Sequence, residues 1–130
     1  MIAIDTNIVV RLIVADDDEQ VAKARRLLSR NTVWIPATVA LETEWVLRSV
    51  YKLEPERIAP ALTAVLGLEN VEVENATLLA AALTAYAKGM DFADAMHLAH
   101  ANRSSEFATF DIDLRRKARS AGGFIPVTAP

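Results

Sequence analysis

Met1-Ile2-Ala3-Ile4-Asp5-Thr6-Asn7 is a short apolar strand that ends in a carboxylate and turns at once into a helix. Open α/β sheets build their sites where strand ends deliver such groups. The arrangement recurs along the chain: Phe107-Ala108-Thr109-Phe110 runs into Asp111, an acid pair stands at Asp91 and Asp94, and Glu42 lies on an otherwise apolar helix face. Carboxylates gathered at one end of a sheet repel one another unless a cation holds them. A divalent metal is the natural cation.

Outward from that first strand the pattern alternates. Strands are expected over 1–5, 33–35, 71–73, 106–110 and 124–127. Helices are expected over 6–14, from Asp16 through Leu28, and over 37–51, 54–66, 76–88, 91–101 and 112–121. On the helix 37–51, Val39, Trp45, Val46 and Val50 are expected to face inward. Pro60 either kinks the helix 54–66 or marks its true start. Strands separated by helices imply βαβ units, hence an α/β fold with a parallel sheet covered on both faces. No repeat, low-complexity tract or linker interrupts the pattern.

A chain of 130 residues is expected to form one domain, 1–130, with a substantial core. Its apolar fraction of 52% is slightly rich, which hints at a buried oligomer interface. No stretch approaches the ~18 uninterrupted apolar residues of a transmembrane helix, and no basic leader precedes the first strand. The absence of cysteine excludes disulfides and thiolate zinc sites and fits a reducing compartment; the expected location is cytoplasmic. A net charge of −3 argues weakly against general coating of nucleic acid. Arg115, Arg116, Lys117 and Arg119 nevertheless cluster just after Asp111. That suits an enzyme acting on a polyanion, and it equally suits a solvated helix.

Each acid has a plainer role beside the functional one. Asp5 can cap the helix that follows it. Asp91-x-x-Asp94 resembles a capping box, and Asp111 can cap the helix beginning at Ile112. Glu42 lacks such a role. Its helical neighbours are Thr38, Val39, Trp45 and Val46, so it is expected to turn toward the core, where an unpaired carboxylate is costly. Glu44 reads as a surface partner of Arg48 at i,i+4, and the run 16–19 as charge offsetting a helix dipole. His97 and His100 continue the threefold spacing of Asp91 and Asp94, but each step of three turns the helix by ~300°, so one ion cannot collect all four. His97 alone either supports the nearby acids or, as is commoner, is a partly buried helical histidine.

An all-oxygen set without cysteine points to Mg²⁺ or Mn²⁺ rather than zinc. In two-metal sites such ions activate water and stabilise the leaving oxygen at phosphorus. No Gly-rich phosphate loop is present.

Four segments, in this order and spacing, resemble the PIN domain, and within it the VapC toxins of bacterial type II toxin–antitoxin systems. They are Ile4-Asp5-Thr6-Asn7, Ile35-Pro36-Ala37-Thr38-Val39-Ala40-Leu41-Glu42, Asp91-Phe92-Ala93-Asp94-Ala95-Met96-His97-Leu98-Ala99 and Ala108-Thr109-Phe110-Asp111. The resemblance covers nearly the whole chain. It implies a three-layer α/β/α fold with a central, mainly parallel sheet, and a Mg²⁺- or Mn²⁺-dependent endoribonuclease cutting single-stranded or loop RNA, in tRNA, rRNA or mRNA. It assigns Asp5, Glu42, Asp94 and Asp111 to catalysis and metal binding, with Asp91 as a supporting ligand. Thr6, Asn7 and Thr109 become hydrogen-bonding groups that hold the carboxylates. Asp113 stands beside Asp111 as a second candidate for the fourth acid. The implied partners are a cognate VapB-like antitoxin, RNA and a second copy of the chain, with no membrane. Arg11, Arg48, Arg115 and Arg116 are the candidates for RNA binding, and no stacking platform is evident among the few aromatics.

Other readings remain. An aspartyl-nucleophile phosphotransferase would use Asp111-x-Asp113, but such motifs stand early in their folds. A receiver-like phosphoacceptor would need an acid pair at the first strand. A catalytically silent PIN-like module for RNA binding or dimerisation would be marked by a missing acid.

Overall fold

β1 (Ile2–Ala3) is the first of three parallel strands, and Asp5 caps α1 (Thr6–Ile13) just beyond it. The computed structural model describes residues 1–130, which divide into two units, Met1–Ala76 and Thr77–Pro130.

In the first unit, α2 (Asp18–Arg30) leads to β2 (Val33–Ile35), and α3 (Ala37–Ser49) and α4 (Pro55–Leu66) lead to β3 (Val71–Val73). The sheet order is β1-β2-β3, with Ile2 opposite Val33 and Val33 opposite Val71. Parallel neighbours need a crossover, and each helix pair supplies one. In central β2, Val33 and Ile35 are buried while Trp34 on the other face is half-buried, so both faces are covered. α1 packs against α2, α3 and α4 through its buried Val9 and Val10. Ile58 and Leu62 of α4 are wholly buried.

In the second unit, α5 (Ala76–Ala87), which starts one residue earlier, ends in a turn where Gly89 takes φ +105°. α6 (Phe92–His100), β4 (Phe107–Ala108), α7 (Ile112–Ala121) and β5 (Val127–Thr128) follow. β4 and β5 pair in parallel, with α7 as the crossover packed on β5. Tyr86 and Phe92 meet edge-on at 5.2 Å. No helix is long and apolar enough to cross a membrane.

Every strand pair is parallel, and the strands come as a sheet of three and a sheet of two. Strands β2 and β3 occupy the expected residues. The last strand falls at 127–128 rather than 124–127, because Pro126 has no N–H to give a ladder; its carbonyl accepts from Phe107 N–H at 2.9 Å. Pro60 neither starts nor ends α4, which runs through it with the proline ring exposed. The inward face expected for α3 needs correction: its buried residues are Ala40, Thr43, Glu44 and Leu47, whereas Trp45 is 54% and Val50 60% exposed.

Candidate active site

Two groups of acids form, one in each unit. In the first, Asp5 is exposed at the mouth of the β1–α1 turn. Its Oδ1 accepts from Thr6 N–H at 2.7 Å, and its carbonyl accepts from Ile8 N–H at 3.1 Å. Capping therefore occupies one carboxylate oxygen, and a carboxylate has a second. The buried Thr6 hydroxyl donates to Glu42 Oε1 at 2.5 Å, tying α1 to α3. Asp5, Thr6, Asn7, Arg11, Glu42 and Tyr51 share the lining of one cavity of about 330 Å³.

In the second unit, Asp91 Oδ2 accepts from Asp94 N–H at 3.1 Å at the start of α6. Asp111 Oδ1 accepts from Leu114 N–H at 3.0 Å at the start of α7, and Asp111 N–H donates to Thr109 Oγ1 at 3.0 Å. Asp94 is half-buried between these charges. Burial first, then the Asp91 and Asp111 carboxylates, raise its carboxyl above the ordinary range; His97 and Lys117 pull in the other direction. Asp113 instead pairs with Arg116 at 2.7 Å on the surface.

Several expectations change here. Glu42 is exposed and Glu44 is the buried carboxylate, 2% exposed and bonded to Arg48 at 2.9 and 3.4 Å. Glu42 is satisfied by Thr6 rather than stranded in a core. His97 is exposed, not partly buried. The acidic run beginning at Asp16 does more than offset a dipole. Arg11 donates to Tyr51 Oη at 2.8 Å and to Gln20 Oε1 at 2.7 Å and pairs with Asp16 at 3.2 Å, while the Tyr51 hydroxyl donates to Asp16 at 3.0 Å. The bond to Tyr51, aided by Asp16, raises the guanidinium pKa further. Tyr51, Asp16 and Gln20 were not expected at the site. Tyr51 lies 40 residues from Arg11 in sequence, and no local pattern joins them.

Of the other basic candidates, Arg48 is engaged by Glu44, Arg116 by Asp113, and Arg115 is half-buried. Asn7 is exposed and lines the cavity beside Asp5.

Parallel strands alternate with helices, and β1 and β4 each run into an aspartate, Asp5 and Asp111, that caps the next helix. The chain belongs to the PIN domain family, whose model matches residues 2–120. No curated protein is matched by the sequence. PIN domains are commonly nucleases, hydrolases of phosphodiester bonds, and typically use divalent metal ions.

The donors here fit such an ion in kind. They are carboxylate oxygens, suited to a hard cation. Within neither unit do three acidic or histidine side chains converge on one point. Mg²⁺ takes only one or two carboxylates directly and completes its shell with water and phosphate, so no such trio is required.

Proposed function

We propose that the protein is a metal-dependent endoribonuclease and the toxin of a VapBC-type toxin–antitoxin pair. The observation that carries this reading is the grouping of acids at two helix starts, Asp91 capping α6 beneath the half-buried Asp94 and Asp111 capping α7. Burial first, and then the Asp91 and Asp111 carboxylates, raise the Asp94 carboxyl there. Like charges held together raise the energy of the metal-free protein, and a divalent cation relieves it. Asp5, Glu42, Asp94 and Asp111 would hold Mg²⁺ or Mn²⁺, with Asp91 in support. When bound, the ion supplies Lewis-acid polarisation of the phosphodiester and a lowered pKa for water.

The chain's own residues prepare that chemistry. Thr6 fixes one oxygen of Glu42, Thr109 fixes the backbone of Asp111, and Asp91 fixes the first turn beneath Asp94. Arg11, held by Tyr51 and paired with Asp16, lines the cavity of Asp5 and Glu42. The partners in this reading are RNA, a VapB-like antitoxin and a second copy of the chain in the cytoplasm. The exposed Trp45 of α3 supports a protein-covered surface there.

The test is purified protein with total bacterial RNA in Mg²⁺ or Mn²⁺ against EDTA, beside Asp5→Asn and Asp94→Asn. Discrete fragments that need metal and vanish in both variants are expected. Cleavage at the parent rate in both variants would refute the site. The second reading, a catalytically silent RNA-binding or dimerisation module, draws on the unconverged carboxylates. RNA bound but uncut in Mg²⁺ would favour it.

A further inference from the structure

Phe110 is 87% exposed, more than any other large apolar side chain, and its near neighbour Ile112 is 72% exposed. Folding gains nothing from a ring in that position, since a Phe side chain gains only when buried. Its backbone, however, is pinned on both sides. Thr109 N–H donates to the Thr128 carbonyl at 2.9 Å, and Asp111 N–H returns to Thr109 Oγ1 at 3.0 Å. Asp111 then caps α7 through Leu114 N–H. The ring thus projects from a fixed point one residue before an acid whose charge reaches Asp94. Arg115, whose N–H donates to the Asp111 carbonyl at 3.2 Å, stands one helical turn further on.

A pinned, exposed ring flanked by an acid and a cation is what an unpaired nucleotide needs: a face for the base, a charge for the backbone. A protein partner fits less well. Interface cores are depleted in charge, and here Phe110 and Ile112 alternate with Asp111 and Asp113, followed by Arg115 and Arg116.

We propose that Phe110 is the stacking platform for an unpaired base of the RNA substrate, beside the acids that the nuclease reading assigns to the metal. The inference rests on the nuclease reading and adds to it the side chain that holds an unpaired base. Stacking accepts any base, because every base has a π-face.

The experiment compares Phe110→Ala, Phe110→Leu and Phe110→Trp with the parent on a short single-stranded RNA that the parent cuts. A thermal melt of each variant confirms an intact fold. Phe110→Ala and Phe110→Leu should weaken affinity and raise KM by roughly 5- to 150-fold, the range of one lost base stack. Phe110→Trp should hold KM near the parent value, with its indole fluorescence quenched by RNA. Replacing the stacked nucleotide with an abasic one should erase the difference between parent and Phe110→Ala.

An unchanged KM in Phe110→Ala, or Phe110→Leu performing as well as Phe110→Trp, overturns the stacking role and leaves the nuclease standing. A parent that cuts no RNA in Mg²⁺ or Mn²⁺ refutes the nuclease reading, and the stacking role falls with it. Loss of self-association in Phe110→Ala with KM unmoved would assign the ring to a protein contact instead.

Discussion

Thr6 does the most with the least: one hydroxyl joins the helix that Asp5 starts to the carboxylate of Glu42. Thr6→Val keeps the shape and removes the donor. We expect a loss of about 1 kcal/mol in stability and of roughly 10- to 100-fold in activity or metal affinity, with Thr6→Ser restoring most of both. Denaturant melts and metal titrations would show it. Glu44 is the contrasting carboxylate. Both its oxygens engage Arg48 while its side chain is out of water. Glu44→Ala should therefore cost about 2 kcal/mol in a chemical melt, where a surface i,i+4 pair would cost a few tenths. The sequence makes the positions of Asp5, Asp91 and Asp111 legible, because each stands just before a helix and caps it, and Asp94 follows in the first turn of α6. It misleads about Glu42 and Glu44, because apolar residues ring α3. Val39, Leu41, Trp45 and Val46 alternate around it with Ala40 and Leu47, so no single stripe selects the buried face.

At the scale of elements, the apolar run 33–35 and the alternating Val71-Glu72-Val73 announce their strands, each bounded by turn-forming residues. β1 and β4 are shorter than their apolar runs, since only the residues with a neighbouring strand can pair. β5 is displaced by a proline that lacks a donor. α4 tolerates Pro60 because Ile58 and Leu62 on either side of it are locked in the core. Tertiary packing outweighs a local penalty of about 3 kcal/mol. Relief of that penalty is measurable. Pro60→Ala should stabilise the protein by about 1–2 kcal/mol, less than the full helix term because the unfolded chain regains freedom. A lower Tm in this variant would mean that the proline, not the core, sets the helix.

For the whole molecule, stability and site chemistry oppose each other at Asp94. Its carboxyl lies above the ordinary value, so the folded protein holds that proton more tightly than the unfolded chain does. The stability linked to it is full below about pH 3.9, the unfolded value. It is lost as pH rises through the raised folded value. In EDTA, Asp94→Asn should melt above the parent at neutral pH and lose that advantage in acid. Added Mg²⁺ should raise the parent's Tm by mass action and leave the variant where it was. A variant less stable than the parent in EDTA at neutral pH would contradict this balance. The central claim, that these acids serve metal-dependent hydrolysis of RNA, is tested most directly by the chemistry of the cut ends. RNA cleaved in Mg²⁺ should carry a linear phosphate monoester on one side of each cut and a hydroxyl on the other, as attack by water requires. A 2′,3′-cyclic phosphate, or cutting that persists in EDTA, would contradict it.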